Sequence, residues 1–298
     1  MVEDGVCDFT FFDRKSKSRN QMEVVDDFYG ELSNLRSSYG VVIYPPIDRA
    51  RCLLSPIAQH ELFHPNLKVE QFDLRFPSKA VSWNDLINGA GELKQIAAEN
   101  EELVFKTEFS YPGGSIAFLR KQLDERGEVV WDLNPDLPSN LDLKSGRYNK
   151  EDLLLVERFF PERMAKHLHC IVVQTRAQAD KPSLSTIDMF YTRTVSDGVM
   201  TPFYDSLKPS EEKTVHKICR RVVMDLSEHR MFKQTAHMPL RIDLFKSNHP
   251  DKWIVTGIGL IPMVSLGKNL FGQPDAVDTI ASSIGKYIAM NWPSAFQF

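Results

Sequence analysis

Residues 240–245, Leu-Arg-Ile-Asp-Leu-Phe, alternate apolar and charged side chains. In a pleated strand this period of two puts Arg241 and Asp243 on one face and turns Leu240, Ile242 and Leu244 toward a core. The charged pair has two readings, a strand-end ion pair or a polar face open to a ligand. Downstream, Trp253 to Pro262 predicts a second strand, and a closing helix is expected from Ala276 to about Ala289. Upstream, Val215, Ile218, Val222, Val223 and Leu226 share one face of a helix predicted over Lys208 to Arg230. Before it, Leu153 to Phe160, Leu168 to Thr175 and Thr186 to Arg193 predict three strands forming an antiparallel set.

The first half mixes both element types. Met22, Val25, Phe28, Tyr29, Leu32 and Leu35 recur at helical spacing and stop at Gly40, after which Val41 to Tyr44 predicts a short strand ended by Pro45 and Pro46. Further helices are expected over Ile47 to Glu61 and Val81 to Asn100, the latter with Ser82 as N-cap. Leu103 to Lys106 predicts a strand with the lysine at its end. It leads into Ser110-Tyr111-Pro112-Gly113-Gly114-Ser115, a turn-forming loop that can bring backbone N–H groups to an anion. Ser115 to Asp124 reads as helical. Asp132 to Tyr148, rich in Asp, Asn, Pro, Ser and Gly, reads as a surface loop and a lobe boundary.

Composition narrows the function classes. The 298 residues are 42% hydrophobic and 26% charged, the range of globular domains large enough for more than one core. Lys plus Arg number 36 against 40 Asp plus Glu, for a net charge of -4, so no basic excess points to nucleic acid. Cys7, Cys52, Cys170 and Cys219 stand singly, which argues against a zinc ribbon or a disulfide framework and for the cytoplasm or another reducing compartment. The acidic start lacks the features of a signal or transit peptide. The longest apolar stretch, Trp253 to Leu266, is too short for a membrane helix and is interrupted by Gly257, Gly259 and Pro262, so no membrane association is expected. No internal repeat points to a solenoid or propeller.

The order of these pieces resembles the ATP-grasp superfamily over residues 45 to 290. The resemblance is carried by VFKTEFSYPGGS at Val104 to Ser115, LLLVERFFPE at Leu153 to Glu162, HLHCIVV at His167 to Val173 and LRIDLF at Leu240 to Phe245. It implies a mixed α/β (α+β) fold: an N-terminal α/β part over residues 1–80, and two antiparallel-sheet lobes over 81–152 and 153–298. It implies ATP as ligand, with Lys106 on the phosphates beside Gly113, Gly114 and Ser115. Val156, Glu157, Arg158 and Phe159 would frame the adenine, Arg241 would steady transferring charge, and Asp243 would hold Mg²⁺. The implied activity is an ATP-dependent carboxylate–amine ligase or small-molecule kinase acting on an unidentified small-molecule or protein acceptor. The residues alone leave two alternatives open: a solvated Lys106, and Glu157 paired with Arg158 or Arg163.

One departure from the family pattern bears on activity. Where relatives carry further acidic or amide metal ligands just before a proline, this chain has Gly257-Ile258-Gly259-Leu260-Ile261-Pro262. One carboxylate is a weak basis for Mg²⁺, which favours oxygen donors, unless Asp188, Asp197 or Asp205 contributes. The alternative is therefore a non-catalytic descendant that binds or assembles. His167, where the family often places a ribose-binding carboxylate, shares a strand face with His169. A separate motif, His60-Glu61-Leu62-Phe63-His64, matches the H-E-x-x-H of zinc hydrolases, but Pro65 pushes His64 out of helical geometry.

Overall fold

The computed structural model describes residues 21–41, 43–63, 68–69, 72–73, 78–82, 84–85, 101–107, 116–127, 129–137, 153–178, 181–194, 200–203, 205–229, 232, 239–248, 251–260 and 274–291. The chain opens with helix α1 (Gln21–Tyr39), ended as expected at Gly40, whose φ of 63° is the left-handed conformation glycine adopts without strain. Residues 41, 43 and 44 are not in a strand, contrary to expectation. The helix expected over Ile47 to Glu61 is two, α2 (Ile47–Leu54) and α3 (Pro56–Phe63). Pro56 has no N–H to continue the first helix, and Ser55 Oγ caps the second by accepting from the Ala58 N–H at 3.0 Å.

The strands β3 (Ser78–Ser82), β4 (Glu102–Thr107), β5 (Ile116–Leu123), β6 (Val129–Leu133) and β7 (Leu153–Arg158) form one antiparallel sheet in the order β3-β7-β4-β5-β6. Three expectations change here. The segment from Ile116 is a strand, because Ala117 and Leu119 bury on one face and Phe118 on the other while β4 and β6 pair its two edges. Val81 belongs to β3, although Ser82 Oγ does accept from the Asp85 N–H at 3.0 Å as an N-cap would; residues 86–100 lie outside the described ones. Asp132 and Leu133 end β6, so the loop expected from Asp132 starts later.

A second five-stranded antiparallel sheet follows, built from β8 (His167–Gln178), β9 (Lys181–Thr194), β10 (Met200–Phe203), β11 (Pro239–Asn248) and β12 (Asp251–Leu260) in the order β10-β9-β8-β11-β12. The antiparallel set expected of three strands is thus divided: β8 and β9 pair here, whereas β7 pairs with β3 and β4. The short helix α4 (Pro161–Ala165) carries the chain from β7 to β8. Helix α5 (Pro209–Glu228) lays Val215, Ile218, Val222, Val223 and Leu226 against Leu168, Cys170, Val172, Leu240, Ile242 and Leu244. Period-two alternation therefore commits one sheet face to the core and delivers His167, His169, Arg241 and Asp243 to the other. A two-stranded ribbon, β1 (Lys68–Val69) with β2 (Phe72–Asp73), and helix α6 (Pro274–Asn291) complete the described elements. None of the described helices is long and apolar enough to cross a membrane. Cys52, Cys170 and Cys219 are not in disulfides.

Candidate functional site

In the first sheet, Lys106 lies opposite Leu155 and Val104 opposite Glu157, so Lys106 and Glu157 are diagonal neighbours on one face, within reach of long side chains. Lys106 Nζ donates to Glu157 Oε1 at 2.7 Å and stands 2.7 Å from Oε2; the two side chains are only 8% and 4% exposed. The solvated-lysine alternative is thereby excluded. Burial lowers the Lys106 ammonium below its ordinary range, against the upward pull of Glu157. Arg163, on α4, brings Nη1 to 3.5 Å from Glu157 Oε2. That oxygen, buried and close to two cations, has no well-directed hydrogen bond.

The other residues expected to frame the adenine diverge. Arg158 is exposed and lies over the Phe160 ring, 5.0 Å to its centroid. Phe159 is buried edge-to-face against Phe118 at 5.4 Å, and its N–H donates to Glu102 O at 3.2 Å. Gly113, Gly114 and Ser115 lie outside the described residues.

In the second sheet, His169, Asp243 and Gly257 stand in one row across β8, β11 and β12. Arg241 and Asp243 share a face, as their spacing predicts, and bind each other: Nε donates to Oδ1 at 2.9 Å and Nη2 to Oδ2 at 3.0 Å. His169 Nδ1 adds a third contact at 2.7 Å to Oδ1. Burial pushes the Asp243 carboxyl upward, but the Arg241 guanidinium and His169 outweigh it and hold it well below the usual carboxylate range.

A β-bulge between Asp243 and Leu244 leaves Thr256 as the extra residue of β12. Its hydroxyl donates to Asp243 O at 3.3 Å and therefore accepts from His167 Nε2–H at 2.8 Å, which sets the tautomer of that imidazole. Burial, then His169 and Arg163, hold His167 well below its usual titration, so the ring is neutral near pH 7. The two histidine rings are 4.6 Å apart, centroid to centroid. Neither the bulge nor the histidine contacts were legible from motif order; the alternation of His167 and His169 was the one available signal.

The two sheets meet electrostatically. Arg163 stands 3.5 Å from Glu157 Oε2, and the charges of Arg163 and Asp243 act on both Lys106 and His167, so residues far apart in sequence belong to one largely buried polar region. Phe160 of the connecting segment packs with Phe245 and Ile254 of the second sheet and secures the junction.

The donor set does not fit Mg²⁺. Both oxygens of Asp243 are engaged by Arg241 and His169, and the residues opposite Asp243 and Arg241 on β12 are Gly257 and Gly259. A divalent ion would have to displace a guanidinium and an imidazole to gain a single carboxylate, where it favours several oxygen donors. Among the described residues no group of three or more His, Cys, Asp or Glu is arranged for a metal. Asp205 pairs with Lys166 on the surface, the side chain of Asp188 is outside the described set, and Asp197 lies wholly outside it. Of the H-E-x-x-H motif, His60 and Glu61 lie on α3 with Glu61 exposed, and His64 lies outside the described residues.

No protein-family model and no curated protein sequence matches the chain. Solved structures do. D-alanyl-alanine synthetase A from Vibrio cholerae O1 biovar eltor superposes with a TM-score of 0.50 at 9% identity, covering 78% of this chain and 65% of that one. Pyruvate carboxylase from Rhizobium etli gives 0.50 at 12% identity, over 89% of this chain and 20% of that one. Carboxyaminoimidazole ribonucleotide synthase from Aspergillus clavatus, complexed with ATP, gives 0.49 at 13% identity over 77% of this chain, which spans half the length of that enzyme.

Proposed function

Because the fold is ATP-grasp-like, we propose that the chain binds ATP at the junction of its two sheets. The observation that carries this reading is the convergence of the buried Lys106–Glu157 pair with Arg163, Arg241 and Asp243 in one cluster. Lys106, Arg163 and Arg241 would hold the phosphates through charge-assisted hydrogen bonds. Glu157 Oε2, lacking a directed hydrogen bond, would accept from a donor on the nucleoside, an amine or a hydroxyl. The reaction class is ATP-dependent joining of a carboxylate to an amine, with phosphoryl transfer to a hydroxyl as its variant; Arg241 would steady the transferring charge.

A second reading, a non-catalytic protein that keeps the ligand site, is favoured by Gly257 and Gly259 opposite Asp243 and Arg241. Thermal denaturation with added ATP tests the shared premise. Stabilisation of about 1 to 3 kcal/mol is expected at roughly 10 to 100 times Kd, and no shift at millimolar ATP removes both nucleotide readings. ADP release in the presence of pooled carboxylates and amines then separates them, since the binding-only protein releases none.

A further inference from the structure

We propose that helix α1 is a self-association surface, which pairs in parallel with the same helix of a second copy of this chain through Leu32, Leu35 and Tyr39.

The helix carries an apolar seam that the rest of the chain leaves largely uncovered. Val25, Phe28, Leu32, Leu35 and Tyr39 follow one another at steps of three, four, three and four. This is the heptad spacing that lines one edge of a helix for a partner helix. The body of the protein holds a different edge: Tyr29 is buried, and Asp26 accepts a hydrogen bond from Arg51 of α2. Positions 26 and 29 lie on a stripe about 100° around the helix from the seam. Along the seam, exposure rises away from the body. Phe28 and Leu32 are half-buried, whereas Leu35 is 44% exposed and Tyr39 76% exposed.

Every residue from Ser33 to Tyr39 is exposed, so no side chain in the last two turns is buried. Such a segment should fray on its own. It follows Gly30 and contains Ser33, Asn34, Ser37 and Ser38, all weak helix formers, and a short helix without tertiary packing is marginal in water. A partner on the seam supplies the burial that the body does not.

Charge fixes the identity and direction of that partner. Glu31 and Arg36 are exposed and flank the seam on opposite sides, and neither has an ion pair among the described residues. Standing five residues apart, they are turned about 140° from each other and cannot pair within one helix. In a parallel, in-register pair, the residue preceding a seam position faces the residue five places further along the other helix, so Glu31 meets the partner's Arg36. Two-fold symmetry makes that contact twice. An unrelated sequence would have to supply both the seam and the matching charges, whereas a second copy carries them already.

Sedimentation equilibrium of the full chain from about 1 to 300 µM, a range that brackets small interfaces, tests the proposal. A reversible monomer–dimer equilibrium is expected. Leu35→Glu should weaken it by about 10-fold or more, because a carboxylate would be buried in the seam. Its thermal midpoint in dilute solution, where the parent is also monomeric, should be unchanged. Glu31→Arg and Arg36→Glu each place like charges opposite one another and should weaken the dimer by about 3-fold or more. An equimolar mixture of these two variants should recover the parent affinity, since each reversed charge then faces its opposite.

A chain that is monomeric throughout the range overturns the proposal. So does a dimer that survives Leu35→Glu, because it would use another surface. Charge variants that leave the dimer unchanged, or a mixture that fails to recover it, refute the parallel pairing and the proposal with it. Should Leu35→Glu fail to fold, the two charge variants at exposed positions carry the same decision.

Discussion

Removing one member of the Lys106–Glu157 pair should cost far more than removing both. With both side chains buried and the charges 2.7 Å apart, either single deletion strands a charge that water cannot reach. Glu157→Met removes the carboxylate 2.7 Å from the buried ammonium, and a loss of about 3 to 5 kcal/mol is expected. Lys106→Met leaves the carboxylate with Arg163 at 3.5 Å, which offsets part of the penalty, so about 3 kcal/mol is expected.

The double variant replaces the buried pair with two apolar side chains and should lie within roughly 1 to 2 kcal/mol of the parent. Urea denaturation of the four proteins, with m-values checked for equality, closes the cycle. The deficit of Glu157→Met should also shrink between pH 7 and pH 9. The folded pKa of the stranded lysine lies below its unfolded value, so across that interval the unfolded chain holds more protons and stability rises with pH. Single losses that add to the double within about 0.5 kcal/mol would refute the coupling of this buried pair.

Gln59→Ala should cost about 2 kcal/mol and accelerate amide exchange at Ile258, because the Gln59 amide donates to Leu53 O and Ile258 O and accepts from Ile258 N–H at the edge strand β12. Gly257→Ala and Gly259→Ala should each stabilise by about 0.4 to 1 kcal/mol in thermal denaturation, since the methyl has room and the unfolded chain loses freedom. His167 is held neutral in the folded protein, so below about pH 6.5 the unfolded chain binds the extra proton and stability falls by up to roughly 1.4 kcal/mol per pH unit. His167→Gln should flatten that part of the profile, and an unchanged slope between pH 5 and 6.5 would show that another group sets it.

The fold was legible where local pattern and burial agree. The apolar faces of residues 208–230 and 240–245 carry their own period, and both elements formed as the spacing required. The helix expected over Ser115 to Asp124 is instead the strand Ile116–Leu123: the segment suits a helix in isolation, but pairing on both edges and burial on both faces decide it, and neither is encoded locally. For the site, alternation located Arg241, Asp243, His167 and His169 on shared faces. What it could not supply was which charges would satisfy one another, because that depends on the register between β8, β11 and β12 and on a bulge that aims Thr256.

That register gives the Arg241–Asp243 pair its meaning. On a strand the two residues stand two apart on one face, and the guanidinium fork is long enough to fold back onto the carboxylate in two hydrogen bonds. An acidic or amide residue at Gly257 or Gly259 would stand beside Asp243 or Arg241 and share a metal or compete for the fork. With glycine at both positions, the Asp243 carboxylate is contacted among the described residues by Arg241 and His169, and its negative charge orients both. The side chains opposite β11 therefore decide what Asp243 contacts, and in this chain both of its oxygens are taken by Arg241 and His169.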